Sequence, residues 1–154
     1  MVTIMTLLQH YQLSLLLTAA SSVLVGLWVL IQKRSSQVAQ LFCLYSLGVG
    51  FWGWCQAQAG SSPTPTTSLL WGRAMFYAVI GFPVLLTNFF ATFLGIAKRK
   101  PSLVGWMLVA AFLPFLSSDL FLYESGPIGF LPSFPRAGPL FLPFNLIWLG
   151  WFLK

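Results

Sequence analysis

Charged residues are scarce in this chain of 154 residues: only 6% of them are charged, whereas 58% are hydrophobic. A soluble domain carries roughly 25% charged residues. Eight basic and two acidic side chains could not cover the surface of a water-soluble globule of this size. The composition therefore excludes a soluble domain, a disordered segment and a disulfide scaffold, and it predicts an all-α integral membrane protein.

Groups that support catalysis or bind metal ions are equally scarce. The chain has one histidine, two cysteines and two carboxylates, and no predicted helix presents two metal ligands four residues apart. It has no G-x-S-x-G, Walker-type or S-x-x-K motif. Cys43 and Cys55 lie on the same predicted helix, too far apart along its axis for a disulfide. We therefore expect no enzyme activity, no bound metal and no cofactor.

Long apolar runs, by contrast, recur along the whole chain. A helix needs about 20 apolar residues to cross a bilayer core about 30 Å thick. We therefore predict a single membrane domain over residues 1–154, a polytopic bundle of about five transmembrane helices. The third of them is long enough that it must tilt or kink, and Pro83, which lacks an amide hydrogen, should bend it. The predicted helices cover residues 13–31, 38–56, 69–96, 102–122 and 140–154.

The basic residues orient this bundle. Cytoplasmic loops carry an excess of Lys and Arg, so loops 32–37 and 97–101 are predicted to be cytoplasmic and the N-terminus to lie outside. The bilayer is the expected partner. Nucleic acid is not, because the basic residues lie between apolar runs and form no stripe with stacking aromatics. The basic residues assigned to the cytoplasmic side are Lys33, Arg34, Lys98, Arg99, Lys100 and Lys154.

Small residues form stripes on the second and third predicted helices. Small side chains allow two helices to approach closely, which is the main source of packing energy in lipid. We therefore predict that these two stripes pack on one another, and a ligand cleft lined by the same residues is the alternative. The packing candidates are Ser46, Gly50, Gly53, Ala78 and Gly81.

A few polar residues within the apolar segments are candidates for a site. Arg73 and Asp119 both fall near the outer ends of their helices, where they either pair or reach water independently. Asn88 lies deep in the third helix and is expected to bond to a neighbouring helix, with a role at a ligand site as the alternative. Residues 123–143 are too rich in Pro and Gly to be helical throughout, yet they are apolar enough to fold back onto the bundle or lie at the membrane interface, either as an ordinary connecting loop or as a ligand-facing lid.

The second and third predicted helices also carry a family-like pattern. It consists of Gln40-Leu41-Phe42-Cys43-Leu44 and Trp52, then Trp71-x-Arg73, Tyr77, Gly81-Phe82-Pro83 and Asn88-Phe89-Phe90. The pattern resembles the N-terminal seven-helix region of bacterial membrane histidine kinases, here over residues 10–154. Only five of seven helices are present, and no phosphoacceptor-histidine helix or ATP-binding domain follows. The chain thus looks like a truncated seven-helix bundle.

The resemblance implies a sensor module of a two-component signal-transduction system, multi-pass in the bacterial inner (cytoplasmic) membrane. Such a module passes a signal to a cytoplasmic output domain that this chain lacks, through a homodimer or a signalling partner. The alternative from the residues alone is a small non-catalytic structural or accessory subunit of a membrane complex. Candidates for ligand contact or signal relay are Trp71, Arg73, Asn88 and Asp119, with Pro83 as a hinge.

Overall fold

The computed structural model describes the backbone of residues 2–96 and 103–152 and the side chains of residues 6–96 and 103–151. The chain is 74% helical and contains one small sheet. Three helical stretches are long and apolar enough to cross a membrane: Thr6–Gln32, Gln37–Ser61 and Pro65–Phe93. A membrane bundle is therefore plausible, with three long candidate spans and two shorter apolar helices where the sequence predicted about five.

The helices follow one another with short connections. Ser36 caps the second helix by accepting a hydrogen bond from the amide of Ala39, and Thr64 caps the third through the amide of Thr67. The first helix begins at the second residue and not near residue 13 as predicted. The elements are α1 Val2–Gln32, α2 Gln37–Ser61, α3 Pro65–Val79, α4 Phe82–Phe93, α5 Leu103–Phe112, β1 Leu122–Ile128, β2 Leu131–Ala137 and α6 Phe141–Phe152.

The third predicted helix is broken in two at Ile80 and Gly81. Pro83 lies in the first turn of α4, where a missing amide hydrogen costs no helical hydrogen bond. The Ile80 amide closes α3 by donating to the Phe76 carbonyl at 3.0 Å, and the Leu85 amide opens α4 by donating to the Gly81 carbonyl at 3.0 Å. The structure therefore shows a break in the predicted helix just before Pro83, and both the bend and its use as a moving hinge stay predictions.

The fourth predicted helix is shorter than the sequence indicated. Instead of running to residue 122, α5 ends at Phe112 and a 3₁₀ turn, Leu113–Phe115, follows it. Pro114 in that turn has no amide hydrogen to donate to the helix. The turn extends as far as Ser118, whose amide donates to the Phe115 carbonyl at 2.9 Å. The charge at Asp119 therefore lies in an irregular connection and not on a helix.

The Pro- and Gly-rich stretch after α5 forms an antiparallel hairpin of β1 and β2. Gly129 is the first of two residues in its turn and has a φ of +58°, a conformation that glycine adopts without strain. The register is irregular near both ends of β1. The sequence excluded a helix here but did not predict strands.

An aromatic cluster joins the hairpin connection to the helices. Phe121, which directly precedes β1, is fully buried, and its ring lies edge-on to Phe76 of α3 at 5.0 Å and to Phe144 of α6 at 5.2 Å. Such edge-to-face pairs contribute about 1 kcal/mol beyond the area they bury. Ile80 and Leu116 are also buried in this core. The core therefore lies between α3, the connection and α6.

The small-residue stripe of α2 packs against α1. A Cβ placed on Gly50 would lie 3.1 Å from the carbonyl oxygen of Ala19, and one placed on Gly53 would lie 3.3 Å from that of Leu15. Gly26 of α1 in turn leaves room for Ser46. The structure thus pairs this stripe with α1 and not, as predicted, with the stripe on α3.

A different face of α2 meets the break between α3 and α4. Tyr45 lies 5.2 Å from the ring of Phe82, and a Cβ on Gly48 would lie 2.6 Å from the same ring. Ala78 and Gly81, the predicted packing residues of the third helix, line a groove beside this contact. The groove stays open beside Ala78 and Gly81 because both residues are small. Phe82, and not Gly81, makes the close approach to α2.

Candidate functional site

Arg73 connects α3 to the start of the hairpin. Its Nη2 donates to Asp119 Oδ1 at 2.5 Å and to the carbonyl oxygen of Leu122 at 2.9 Å. Of the two alternatives left by the sequence, the structure therefore shows the pair. The Arg73 side chain is only 22% exposed, whereas that of Asp119 is 81% exposed. Solvent screens such a carboxylate, so the bond to the Leu122 carbonyl does more than the ion pair to position the hairpin.

A second bond ties α3 to the same connection one turn further along. The hydroxyls of Tyr77 and Ser117 lie 2.5 Å apart. Tyr77 follows Arg73 by four residues, so both side chains leave the same face of α3. The segment from Ser117 to Leu122 is therefore bonded to α3 at two positions, one helical turn apart. We name Arg73, Asp119, Tyr77, Ser117 and the Leu122 carbonyl the hairpin anchor.

The hairpin has its own charged and polar pairs. Glu124 and Arg136 face each other across the strands, with Oε2 and Nη1 3.5 Å apart, and both are well exposed. An exposed pair of this kind contributes about 1 kcal/mol or less and mainly favours the register. On the buried side, the hydroxyls of Ser125 and Ser133 lie 2.7 Å apart and satisfy one another. The hairpin is therefore a defined element and not a loose loop.

The hairpin rests on one end of the bundle. Phe130 in its turn lies edge-on to Tyr11 of α1 at 5.6 Å, and the Tyr11 hydroxyl accepts a hydrogen bond from Gln56 Nε2 of α2 at 3.0 Å. On α3, Gly72 makes room for Pro135, whose ring occupies the place of a side chain. This confirms that the apolar stretch folds back onto the ends of the helices.

The other predicted site residues lie apart from the anchor or only border it. Trp71 is partly buried and packs against the core two residues from Arg73. Asn88 lies on α4, beyond the break, and its side chain has no hydrogen-bond partner in the part of the chain that the structure describes. Its backbone carbonyl accepts from Thr92 Oγ1 at 2.7 Å. The structure therefore brings together Arg73 and Asp119 but does not join Asn88 to them.

The bond between helices expected of Asn88 is made by its neighbour. Thr87 Oγ1 donates to the Pro83 carbonyl at 2.7 Å and accepts from Trp151 Nε1 of α6 at 3.1 Å. Sequence analysis missed Thr87 because a threonine hydroxyl in an apolar helix commonly bonds within its own helix. The Trp151 indole supplied no signal beyond its place in an apolar run.

We predict that Thr87→Val destabilises the protein by about 1 kcal/mol, the net contribution of one such hydrogen bond. Thr92→Val is the matched control, because the Thr92 hydroxyl donates to its own helix and accepts nothing from α6. Unfolding of the purified chain in mixed micelles by added SDS, followed by circular dichroism, measures both. Equal midpoints for the two variants would show that the Trp151 bond contributes nothing.

Within residues 2–96 and 103–152, no group of three or more His, Cys, Asp or Glu side chains could hold a metal ion. The anchor therefore offers one guanidinium, one carboxylate and hydroxyls, which suit binding and positioning. Comparison of the chain with protein-family models, with curated proteins and with solved structures finds no match.

Proposed function

We propose that this chain is the membrane input module of a sensor, which passes a signal to a cytoplasmic output domain that it does not itself contain. The observation that carries this proposal is the hairpin anchor. Through Arg73 the hairpin is fastened to α3, and α4 follows α3 directly after the break at Ile80 and Gly81. A movement of the hairpin is thereby coupled to a helix pair that leads to the opposite end of the bundle.

The anchor has the features of an element with two arrangements. Its polar contacts are one ion pair with an exposed carboxylate and a few hydrogen bonds, each worth about 1 kcal/mol, while Phe121 and Leu122 beside them are buried in the core. A ligand that contacts the hairpin, or a change in the membrane around it, can therefore rearrange these polar contacts while the core stays packed. The break between α3 and α4 then allows α3 to tilt while α4 keeps its packing against α2.

The resemblance to the seven-helix input region of histidine kinases supports the same proposal. On this proposal the module lies in the bacterial inner membrane with the hairpin outside and the output in the cytoplasm, as a homodimer or with a signalling partner. On this proposal the chain itself catalyses nothing, and Trp71, Arg73, Asn88 and Asp119 act in ligand contact or relay.

Sequencing the gene past the codon for Lys154 tests the proposal first. A reading frame that continues into further helices and a kinase or cyclase domain supports it. A stop codon with no such domain encoded nearby removes most of its support.

The anchor itself is tested in the protein that carries the output domain. We predict that Arg73→Ala changes its basal output at least about five-fold, the usual lower range of coupling between sites, and that Asp119→Asn changes it less, because the bond to the Leu122 carbonyl remains. Glu124→Gln is the matched control, because it removes the other carboxylate of the chain without touching the anchor. Autophosphorylation of the membrane-embedded protein is the measurement. Equal output from all three variants and the unaltered protein would contradict a relay through Arg73.

One observation favours the alternative of an accessory subunit. A groove of about 450 Å³ runs between α2, the α3–α4 break and α5, with Gly48, Ala78 and Gly81 among its lining residues. Large exposed side chains, including Phe51 and Trp106, border it. Small residues at such a groove would allow a partner helix to approach closely. Co-purification with one larger complex at fixed stoichiometry, lost in Gly81→Leu, would favour this candidate.

A further inference from the structure

A second groove, at the end of the bundle opposite the hairpin, combines an apolar wall with positive charge. It has a volume of about 280 Å³ and lies between the end of α1, the start of α2 and the end of α4. The ring of Phe89 lies 6.0 Å from Phe42 and also 6.0 Å from Phe93, nearly parallel to the latter. Lys33 and Ser36 line the same groove. One edge is therefore polar and cationic, and the wall is aromatic.

The cation at this groove has no acidic side chain to pair with. The chain contains only two carboxylate side chains, Asp119 and Glu124, and both form ion pairs with arginines at the hairpin end. Lys33 and the adjacent Arg34 are exposed. Their counter-charge must therefore come from outside the chain. The sequence adds three more cations at 98–100, which lie outside the described residues.

The start of α2 adds hydrogen-bond donors to the same place. Ser36 Oγ accepts from the Ala39 amide at 3.5 Å, and the Ser36 carbonyl accepts from the Gln40 amide at 3.1 Å. In the described part of the chain, the amides of Gln37 and Val38 have no partner. Free amides at the start of a helix, with the positive end of its dipole, favour an anion.

We propose that this groove binds an anionic phospholipid. Its phosphate lies between the Lys33 ammonium and the first amides of α2, and the start of an acyl chain lies along Phe42, Phe89 and Phe93. The groove is close to the lower size of ligand pockets, about 300 Å³, and so holds part of a lipid and not all of it. Basic pockets between helices on the cytoplasmic side of membrane proteins recognise lipid headgroups in this way. The proposal does not depend on the sensor function.

Native mass spectrometry of the full chain in detergent tests it, with dioleoylphosphatidylglycerol as the probe and dioleoylphosphatidylcholine as the neutral comparison. We expect tighter binding of the anionic lipid and about a ten-fold loss of that binding in Lys33→Gln, because this change removes a direct charge-assisted hydrogen bond to the phosphate. Arg34→Gln is the matched control, because it removes the same charge one residue away from the groove lining. It should change binding less than two-fold.

Filling the groove is the second, independent variant. Val38 lines the groove and is partly exposed, so Val38→Trp should block the acyl chain with no change of charge. Equal losses in Lys33→Gln and Arg34→Gln would overturn the proposal in favour of diffuse surface charge. It would also be overturned by equal binding of the two lipids, by full binding to Val38→Trp, or by displacement of the lipid with inorganic phosphate.

Discussion

Gly72→Ala is expected to detach the hairpin from α3. A Cβ at this position would overlap the ring of Pro135, which is rigid and belongs to a strand. The strand must therefore move outward, which weakens the anchor as well. Overpacking of this kind costs typically 1–3 kcal/mol, and we expect about 2 kcal/mol here. Hydrogen exchange of the amides in residues 122–137 should consequently be about 30-fold faster.

Gly150→Ala provides the matched control for this change. Gly150 also lies in a helix, but among the residues that the structure describes a Cβ there would meet nothing within 4 Å. Because alanine favours helix over glycine by about 1 kcal/mol, this control should leave exchange in the hairpin unchanged and slightly stabilise α6. Exchange in the hairpin that is as slow in Gly72→Ala as in Gly150→Ala would show that the hairpin does not depend on Gly72.

The sequence predicted the broad class of this fold because a scarcity of charge is a property of the whole chain. It also predicted that the third helix is disturbed near Pro83, and the structure breaks that helix at Ile80 and Gly81, just before the proline. It did not predict where α5 ends. The loss of the turns after Phe112 depends on Phe121 entering a core between α3 and α6, which no local pattern indicates.

The anchor was predictable only in its charged members. Arg73 and Asp119 stood out because they are the two charges placed in apolar segments, and in such surroundings opposite charges tend to pair. The Leu122 carbonyl and the fit of Pro135 against Gly72 carried no signal, because they depend on where a hairpin lies. The α2 stripe was recognised, but its partner was not. Gly26 and Ala19 of α1 are small too, and nothing in the pattern alone chooses between two such neighbours.

Gly50→Leu should separate α1 from α2 and produce the largest loss of stability. A Cβ on Gly50 would lie 2.5 Å from Val23 Cγ2 and 3.1 Å from the carbonyl oxygen of Ala19. The Val23 side chain is restricted to one rotamer in the helix and the Ala19 backbone is fixed, so neither can move aside easily. A leucine therefore forces the two helices apart. Lipid supplies no hydrophobic driving force between helices, so this contact depends on close packing, and we expect the free energy of unfolding to fall by about 3 kcal/mol.

Unfolding by SDS in mixed micelles, followed by circular dichroism, measures this loss. Gly150→Leu is the control, since it adds the same side chain at a helical glycine with open space around it. The control should unfold at the midpoint of the unaltered chain or slightly above it, whereas Gly50→Leu should unfold at much lower SDS. An equal unfolding midpoint for the two leucine variants would show that the small-residue stripe does not hold α1 against α2.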